Sequence, residues 1–257
     1  MIEQRSRLTI KLASAERYLM WYAPPLFCNH IRIAEFPKSG GTWLSQMIAE
    51  MADLDFPRNQ RMTWRRGVQH SHLPGPAGAR KTVLMVRDGR DVCVSAYFHF
   101  LQPGREVNSR LVTQWRAHLS EYDISDVSCT MPIFIKMFFE RMKIGGRSIN
   151  WKTHLNSFQL DNPNLCIVKY EDLLFQPCKE MYRIADFLNL DVSQSKVEKV
   201  VDKYSFANQR KINSHKQDNI AFLRKGIAGD WKTHFTEEAR LLFDNLAGHE
   251  LQLLGYE

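Results

Sequence analysis

One short segment combines a lysine, two glycines and two hydroxyls in the arrangement of an anion-binding loop. It reads Lys38-Ser39-Gly40-Gly41-Thr42 and lies between an apolar run with strand character and a run with helical spacing. Glycines let backbone amides approach an anion, and a helix N-terminus adds partial positive charge at the same place. Lys38 supplies a full charge there. A plain glycine turn with an N-capping threonine is the alternative for this segment alone.

Two further segments carry cations in settings that suit an anionic ligand. Arg87 directly follows a short apolar run, and ligands of open α/β sheets bind beyond the carboxyl ends of the strands. The Arg87 fork and the Ser95 hydroxyl suit a phosphate group, with an arginine–aspartate network capping the next helix as the alternative. Arg224-Lys225-Gly226 places two cations before a glycine, where side chains and amides can wrap an anion together. A surface loop with Trp231 packed in the core is the alternative there.

The spacing of apolar residues predicts the elements that position these segments. Strands are expected over residues 30–36, 82–86 and 165–168, the second being a continuous apolar run typical of a buried parallel strand. Helices are expected between and after them, over 42–51, from 91, and over 111–122, 133–142, 151–158, 179–188, 195–203 and 237–254. Short buried strands separated by helices predict an α/β fold with a central parallel β-sheet flanked by helices.

The composition excludes several classes of protein. The 257 residues are 44% hydrophobic and 25% charged, which argues against wholesale disorder and against a collagen-like or coiled-coil chain. A net charge of +7 favours anionic partners without choosing among nucleic acid, acidic lipid and phosphorylated small molecules. The five cysteines form no C-x-x-C pair, so no disulfide framework or zinc ribbon is indicated, and a cytoplasmic location is expected. Neither a membrane span nor a signal peptide is expected.

The three cationic segments, taken together and in this order, resemble the PAPS-dependent sulfotransferases. These enzymes transfer a sulfuryl group from 3′-phosphoadenosine 5′-phosphosulfate (PAPS). Residues 37–43 resemble the 5′-phosphosulfate loop of that family, 87–100 its 3′-phosphate motif, and 224–232 the C-terminal nucleotide-binding signature of its cytosolic branch. The resemblance covers about residues 30–240 and implies a single P-loop-like domain, expected to span residues 1–257. The implied activity is sulfuryl transfer to a hydroxyl or amine of a small-molecule acceptor, with release of 3′-phosphoadenosine 5′-phosphate (PAP).

The resemblance also implies roles for individual residues in holding PAPS. The residues that would hold the 5′-phosphosulfate are Lys38, Ser39, Gly40, Gly41 and Thr42. Those that would hold the 3′-phosphate are Arg87, Ser95, Arg224, Lys225 and Gly226. The adenine site would be formed by Trp43, Tyr170, Ser205 and Phe206, the last of which would stack on the base. Ordinary core packing is the alternative for each aromatic.

His72 falls where the family has its catalytic base, within the sequence His70-Ser71-His72-Leu73-Pro74. A neutral imidazole can remove a proton from a weak nucleophile near neutral pH. Residues 70–72 are expected to contact the acceptor, and Lys38 is expected to stabilise charge on the departing phosphate. No metal is expected, because a sulfuryl group carries less charge than a phosphoryl group and no clustered ligand set stands out in the sequence.

The chain departs from the family pattern in three places. His70 replaces a lysine that cytosolic members have two residues before the base, and the stretch 51–70 is shorter than usual. Glu237 and Leu241 stand where the short dimerisation motif has valine and glutamate, so a monomer or a dimer through another surface is expected.

The identity of the acceptor stays open. The aromatic residues that could line its pocket or form core are Phe98, Phe100, Trp115, Phe138, Phe139 and Trp151.

Two other functions are weighed against this one. A nucleotide-dependent kinase would use Asp88 as a magnesium ligand, but Lys38 precedes its glycines whereas a Walker A lysine follows the last one. A nucleic-acid-binding module is the non-enzymatic alternative. It is motivated by the basic residues Arg58, Arg61, Arg65 and Arg66, which a solvated basic face explains more simply.

Overall fold

Short strands alternate with helices along the chain in a computed structural model that describes residues 7–24, 29–58, 66–75, 80–101, 110–144, 146–209 and 226–257. The strands are β1 Ile31–Glu35, β2 Val68–Ser71, β3 Thr82–Val86, β4 Lys143–Ile144, β5 Arg147–Ser148 and β6 Leu165–Lys169. The first five helices are α1 Arg7–Tyr22, α2 Gly41–Met51, α3 Gly89–Leu101, α4 Arg110–His118 and α5 Val127–Arg141. The others are α6 Trp151–Leu155, α7 Tyr170–Phe175, α8 Pro177–Leu188, α9 Gln194–Lys203 and α10 Glu237–Leu253, with a 3₁₀ turn at Asp230–Thr233.

Two sets of segments each form a compact unit. The first, called the sheet unit, comprises Met1–Glu35, Ser39–Val86 and Phe158–Asn208. The second, called the helical unit, comprises Phe36–Lys38, Arg87–Ser157 and Gln209–Glu257. The expectation of a single domain over residues 1–257 stays a prediction.

The sheet unit is built on four parallel strands in the order β2-β1-β3-β6. In the register of β1 with its two neighbours, Ala34 lies opposite Ser71 of β2 and Glu35 opposite Met85 of β3. Every residue of β1 and β3 is buried, as expected for parallel strands that are covered on both faces. The predicted α/β fold with a central parallel sheet is confirmed. The edge strand β2 was not predicted, because its four residues include only one apolar side chain, Val68.

Apolar side chains of the strands and of α2, α8 and α9 form the core of the sheet unit. Ile33, Leu44, Val83, Val168 and Ile184 are all fully buried in one cluster. Burying each such side chain contributes about 1.5–3 kcal/mol. The loop between β1 and α2 is therefore held at both of its ends by buried elements.

Helix α1 was missed by the sequence analysis, because several of its apolar side chains, such as Leu12 and Leu19, are exposed and blur the helical period. Two buried arginines hold its C-terminal end. Arg32 donates to the carbonyl of Trp21 at 3.2 Å, and Arg80 donates to that of Met20 at 3.1 Å. These bonds satisfy carbonyl groups that have no partner within the helix.

The helical unit has an aromatic core. Trp115, Phe138, Phe139 and Trp151, which were considered for an acceptor pocket, are buried in it, whereas Phe98 and Phe100 are partly exposed. The Trp115 ring lies 5.3 Å from the ring of Phe134, and Phe139 lies 5.2 Å from Phe243 of α10. The contacts of the four buried rings favour the core interpretation.

The predicted strands and helices are present with shifted ends. Strand β6 extends one residue beyond the prediction, and α4 and α6 end earlier than predicted. Helix α5 begins at Val127, not at the predicted residue 133, because Asp126 caps it and Pro132 lies inside its first two turns. No helix in the described ranges is both long and apolar enough to cross a bilayer.

Candidate functional site

The loop between β1 and α2 has a backbone that only particular residues adopt without strain. Lys38 has φ 79° and Gly40 has φ 103°, both in the left-handed region. A Cβ atom on Gly40 would lie 2.8 Å from the ring of Tyr170, so this position needs a glycine for its packing as well. A left-handed conformation at a non-glycine residue costs energy and is concentrated at functional sites.

The Ser39 side chain supports an anionic ligand at this loop. It is only 1% exposed, and its hydroxyl has no hydrogen-bond partner among the residues that the structure describes. A buried hydroxyl without a partner is costly unless a ligand or water satisfies it. The amide of Gly41, in contrast, donates to the carboxylate of Glu35.

The aromatic residues predicted for the adenine site lie together in the sheet unit. The ring of Trp43 stands edge-on to that of Tyr170 at 5.8 Å between centroids. Trp43 Nε1 donates to the carbonyl of Tyr204 at 2.8 Å, the residue directly before Ser205 and Phe206. Phe206 and Trp43 are only partly buried, so both keep exposed surface.

Within the helical unit, Arg87 is bonded to the first residue of the lysine loop and to the segment that follows Gly226. One of its terminal nitrogens donates to the carbonyl of Lys38 at 3.4 Å, and the other donates to that of Ile227 at 3.2 Å. Its guanidinium also lies 3.7 Å from the carboxylate of Asp91. The first and third segments, far apart in sequence, are therefore both bonded to the residue that begins the second.

Asp91 is a site residue that the sequence analysis missed. Its two oxygens accept from the amides of Gly229 at 2.8 Å and Trp231 at 2.9 Å, which fixes the chain just after Gly226 against α3. Burial raises the pKa of Asp91, although Arg87 and the two amides act in the opposite direction. Because its partners lie on a distant part of the sequence, no local pattern signals this role.

Asp88 is engaged in an arginine–aspartate pair. Arg90 donates to both carboxylate oxygens of Asp88, with the shortest contact at 2.8 Å, and its own amide donates to the same carboxylate at 2.9 Å. The guanidinium of Arg90 also lies 3.9 Å from the centre of the Trp231 ring. The helix-capping network weighed for this segment is present, so the Asp88 carboxylate is already neutralised and is a poor magnesium ligand.

Fewer contacts are available for the remaining residues of the predicted site. Ser95 lies one turn after Asp91 on α3 and is partly buried. Gly226 has φ 65°, and Arg224 and Lys225 lie outside the described residues. The hydroxyl of Ser71 accepts from the amide of Leu73 at 3.1 Å and so shapes the end of β2.

The two histidines of the predicted acceptor segment converge on one carboxylate in the sheet unit. His70 Nε2 donates to Glu35 Oε1 at 2.8 Å. His72 Nδ1 lies 3.2 Å from the carbonyl oxygen of Glu35 and 3.7 Å from Oε1. The two imidazole rings stand edge to face, 4.8 Å apart. The two histidines, two residues apart in an extended segment, therefore face the same side.

Glu35 was also missed from the sequence, although a carboxylate at the end of a strand, just before the lysine loop, is a signal that could have been used. It is 3% exposed. Burial alone would raise its pKa, but the hydrogen bond and charge of His70, the charge of His72 and the Gly41 amide outweigh burial and lower it. Glu35 is therefore an anion held between the histidine pair and the N-terminus of α2.

Glu35, His70 and His72 also offer one ligand atom each within 4.8 Å, a spacing that a metal ion could use. In the structure the carboxylate instead accepts hydrogen bonds from His70 and Gly41. The absence of a metal from the reaction stays a prediction.

Comparison with known proteins gives a family. A family model described as the sulfotransferase domain matches residues 52–255. The amine sulfotransferase of Oryctolagus cuniculus is 25% identical, over 87% of this chain and 81% of its own. Sulfotransferase 1E1 of Homo sapiens is 25% identical, over 82% of this chain and 80% of its own.

Solved structures share the fold. Mouse sulfotransferase SULT7A1, complexed with PAP, superposes with a TM-score of 0.68 at 20% identity and covers 94% of this chain and 91% of that one. Retinol dehydratase in complex with androsterone and PAP superposes with a TM-score of 0.63 at 18% identity, over 94% of this chain and 85% of that one.

We expect Asp91→Ala to release the segment that follows Gly226. Two amide bonds to a carboxylate are lost, which should lower the free energy of unfolding by about 2–4 kcal/mol. Amide hydrogen exchange at Gly229 and Trp231 should accelerate at least about tenfold. Glu237→Ala is the matched control, since that exposed carboxylate pairs with Arg240 in the same unit. Wild-type exchange rates at both amides in Asp91→Ala would contradict this role.

Proposed function

Because the chain belongs to the sulfotransferase domain family, we propose that it transfers the sulfuryl group of PAPS to a hydroxyl or amine of a small-molecule acceptor. The observation that carries the proposal is the bonding of Arg87 to the carbonyls of Lys38 and Ile227. These bonds connect Lys38, the first residue of the lysine loop, with the two segments that suit a 3′-phosphate. PAP in the related solved structures supports the same donor.

The chain's own residues fit this donor. The buried hydroxyl of Ser39, which has no partner among the described residues, would hold the 5′-phosphosulfate together with Lys38 and the N-terminus of α2. Arg87, Ser95 and the segment 224–226 would hold the 3′-phosphate. The partly exposed rings of Trp43 and Phe206 would contact the adenine.

The reaction needs a base for the acceptor and a cation for the leaving group. PAPS supplies a sulfuryl group on a phosphate leaving group. His72 takes the proton of the acceptor hydroxyl, whose electron pair forms the new oxygen–sulfur bond as the bond between sulfur and the phosphate oxygen breaks. Lys38 stabilises the negative charge that grows on that phosphate oxygen.

We also propose a cellular location and an oligomeric state for the enzyme. A cytoplasmic location agrees with the resemblance of residues 224–232 to the signature of the cytosolic branch. A monomer, or a dimer through a surface other than residues 232–241, agrees with the pairing of Glu237 with Arg240 and with Leu241, which is 55% exposed.

PAP should bind much more tightly than adenosine 5′-phosphate, because the groups that hold the 3′-phosphate would otherwise lose their partner. Isothermal titration calorimetry measures both affinities. Arg224→Ala should remove most of the difference, whereas Arg240→Ala, an exposed arginine of α10, should leave it unchanged. Equal affinity of the wild type for the two nucleotides would refute the donor assignment.

His72→Ala should lower turnover by about 10²–10⁴-fold, the usual worth of a positioned acid–base group, while PAP binding stays nearly intact. His70→Ala should cost less. His249→Ala, whose side chain is 79% exposed on α10, is the control and should be neutral. The two assignments must be exchanged if His70→Ala is inactive but binds PAP while His72→Ala keeps near-normal turnover.

Turnover should survive dialysis against EDTA, because Lys38 and backbone amides supply the charge that a metal would otherwise provide. The rate of sulfuryl transfer before and after chelation measures this. Sulfuryl transfer that disappears with EDTA and returns only with Mg²⁺ would contradict this prediction, and magnesium-dependent phosphoryl transfer from ATP would favour the kinase alternative.

A further inference from the structure

The buried residue Glu35 contacts both histidines of the acceptor segment and the first residue of α2. It accepts from His70 with one oxygen and from the Gly41 amide with the other, and its own carbonyl oxygen faces His72. We propose that Glu35 is a positioning residue that fixes the proton of neutral His72 on Nδ1 and makes Nε2 the basic nitrogen. The proposal rests on His72 being the general base.

The tautomer follows from the chemistry of the carbonyl group. A carbonyl oxygen accepts hydrogen bonds and cannot donate them. The 3.2 Å contact between His72 Nδ1 and the Glu35 carbonyl is therefore an N–H···O bond with the proton on Nδ1. A neutral imidazole has one N–H, so its lone pair lies on Nε2. The acceptor proton must be delivered to that atom.

The carboxylate then stabilises the cation that proton transfer creates. When His72 takes the acceptor proton on Nε2, the ring becomes an imidazolium with Nδ1 3.7 Å from Glu35 Oε1. A fixed anion beside the second nitrogen favours that charged form. The arrangement is the general one in which a buried carboxylate orients a histidine base and stabilises its protonated form.

Three contacts keep the carboxylate ionised and in place. His70 Nε2–H donates to Oε1, the Gly41 amide donates to Oε2, and the positive end of α2 faces the carboxylate. A Cβ atom on Gly41 would lie 2.5 Å from Glu35 Cδ, so the position of the carboxylate requires a glycine there. Through Gly41 the base is coupled to the loop that would bind the donor.

The contacts also separate the roles of the two histidines. The side chain of His70 is 10% exposed, and its Nε2–H group donates a hydrogen bond to Glu35. The side chain of His72 is 40% exposed, so an acceptor can reach it. His70 is then a second positioning residue that holds the carboxylate.

The rate should depend on pH through this cluster. Two titratable side chains contact His72 in the described part of the sheet unit, Glu35 on β1 and His70 on β2. Replacing the Glu35 carboxylate by a neutral group makes the protonated form of His72 less stable. The acidic limb of the kcat/KM profile against pH should therefore move to lower pH.

The test compares wild type with Glu35→Gln, Glu35→Asp and Glu180→Gln. Glu180 is the matched control, because it is a buried carboxylate of the same unit that pairs with Arg183 and contacts neither histidine in the described residues. NMR of ¹³C,¹⁵N-histidine-labelled wild type at a pH where His72 is neutral reads its tautomer directly, without turnover. Steady-state kinetics give kcat, the KM for PAPS and the pH profile.

We expect the Nδ1–H tautomer for His72 in the wild type. Glu35→Gln should lower kcat about 10²-fold or more, change the KM for PAPS less than about threefold, and move the acidic limb to lower pH. Glu35→Asp should have a higher kcat than Glu35→Gln, and its acidic limb should lie at the pH of the wild type. Glu180→Gln should match the wild type in kcat, in the KM for PAPS and in the pH profile.

The Nε2–H tautomer in the wild type would overturn the proposal, as would an unshifted acidic limb in a folded Glu35→Gln. If Glu35→Gln does not fold, the proposal is tested by the tautomer of His72 in the wild type and by the pH profile of Glu35→Asp. If the protein transfers no sulfuryl group at all, the proposed function fails, whereas the tautomer still tests the role of Glu35.

Discussion

The register of β1 between β2 and β3 is the constraint on which the rest of the sheet unit depends. Ile33 lies opposite His70, so Glu35 and His72, two residues further along each strand direction, point to the same face. A slip of one residue in β2 would bring Gln69 and Ser71 to that face instead. The buried apolar side chains of β1 and β3 fix this register, and the histidine pair meets the carboxylate as a result.

The helical unit depends on a different interaction, the pairing of a buried arginine with backbone carbonyls. Arg87 is 8% exposed and bonds to the carbonyls of Lys38 and Ile227, while Asp91 holds the amides of Gly229 and Trp231. A buried guanidinium needs such acceptors, since leaving it unpaired is costly. The same geometry keeps a positive charge next to the backbone of the lysine loop.

The fold could be predicted from local patterns wherever burial imposes one. Strands β3 and β6 are short apolar runs, β1 lies in an alternating run, and most helices show a clear helical period. Helix α1 and strand β2 were missed because exposed apolar residues blur the pattern of the first and polar residues dominate the second.

The site could be predicted only where its residues form motifs. The lysine loop and the Arg87 segment are local, so both were found. Glu35 and Asp91 act through partners on other elements, and the contacts of Glu35 with His70 and of Asp91 with Trp231 exist only after folding. Sequence patterns therefore found the groups that would touch the donor and missed the carboxylates that hold the machinery in place.

The most direct test of the account is the fate of labelled sulfur from ³⁵S-PAPS incubated with a panel of phenols, alcohols, sterols and amines. The account predicts that label moves to an acceptor with one PAP formed per sulfated product, in the presence of EDTA. Release of the label as inorganic sulfate at a rate independent of any acceptor, or transfer of the γ-phosphate of MgATP to the same panel, would contradict it.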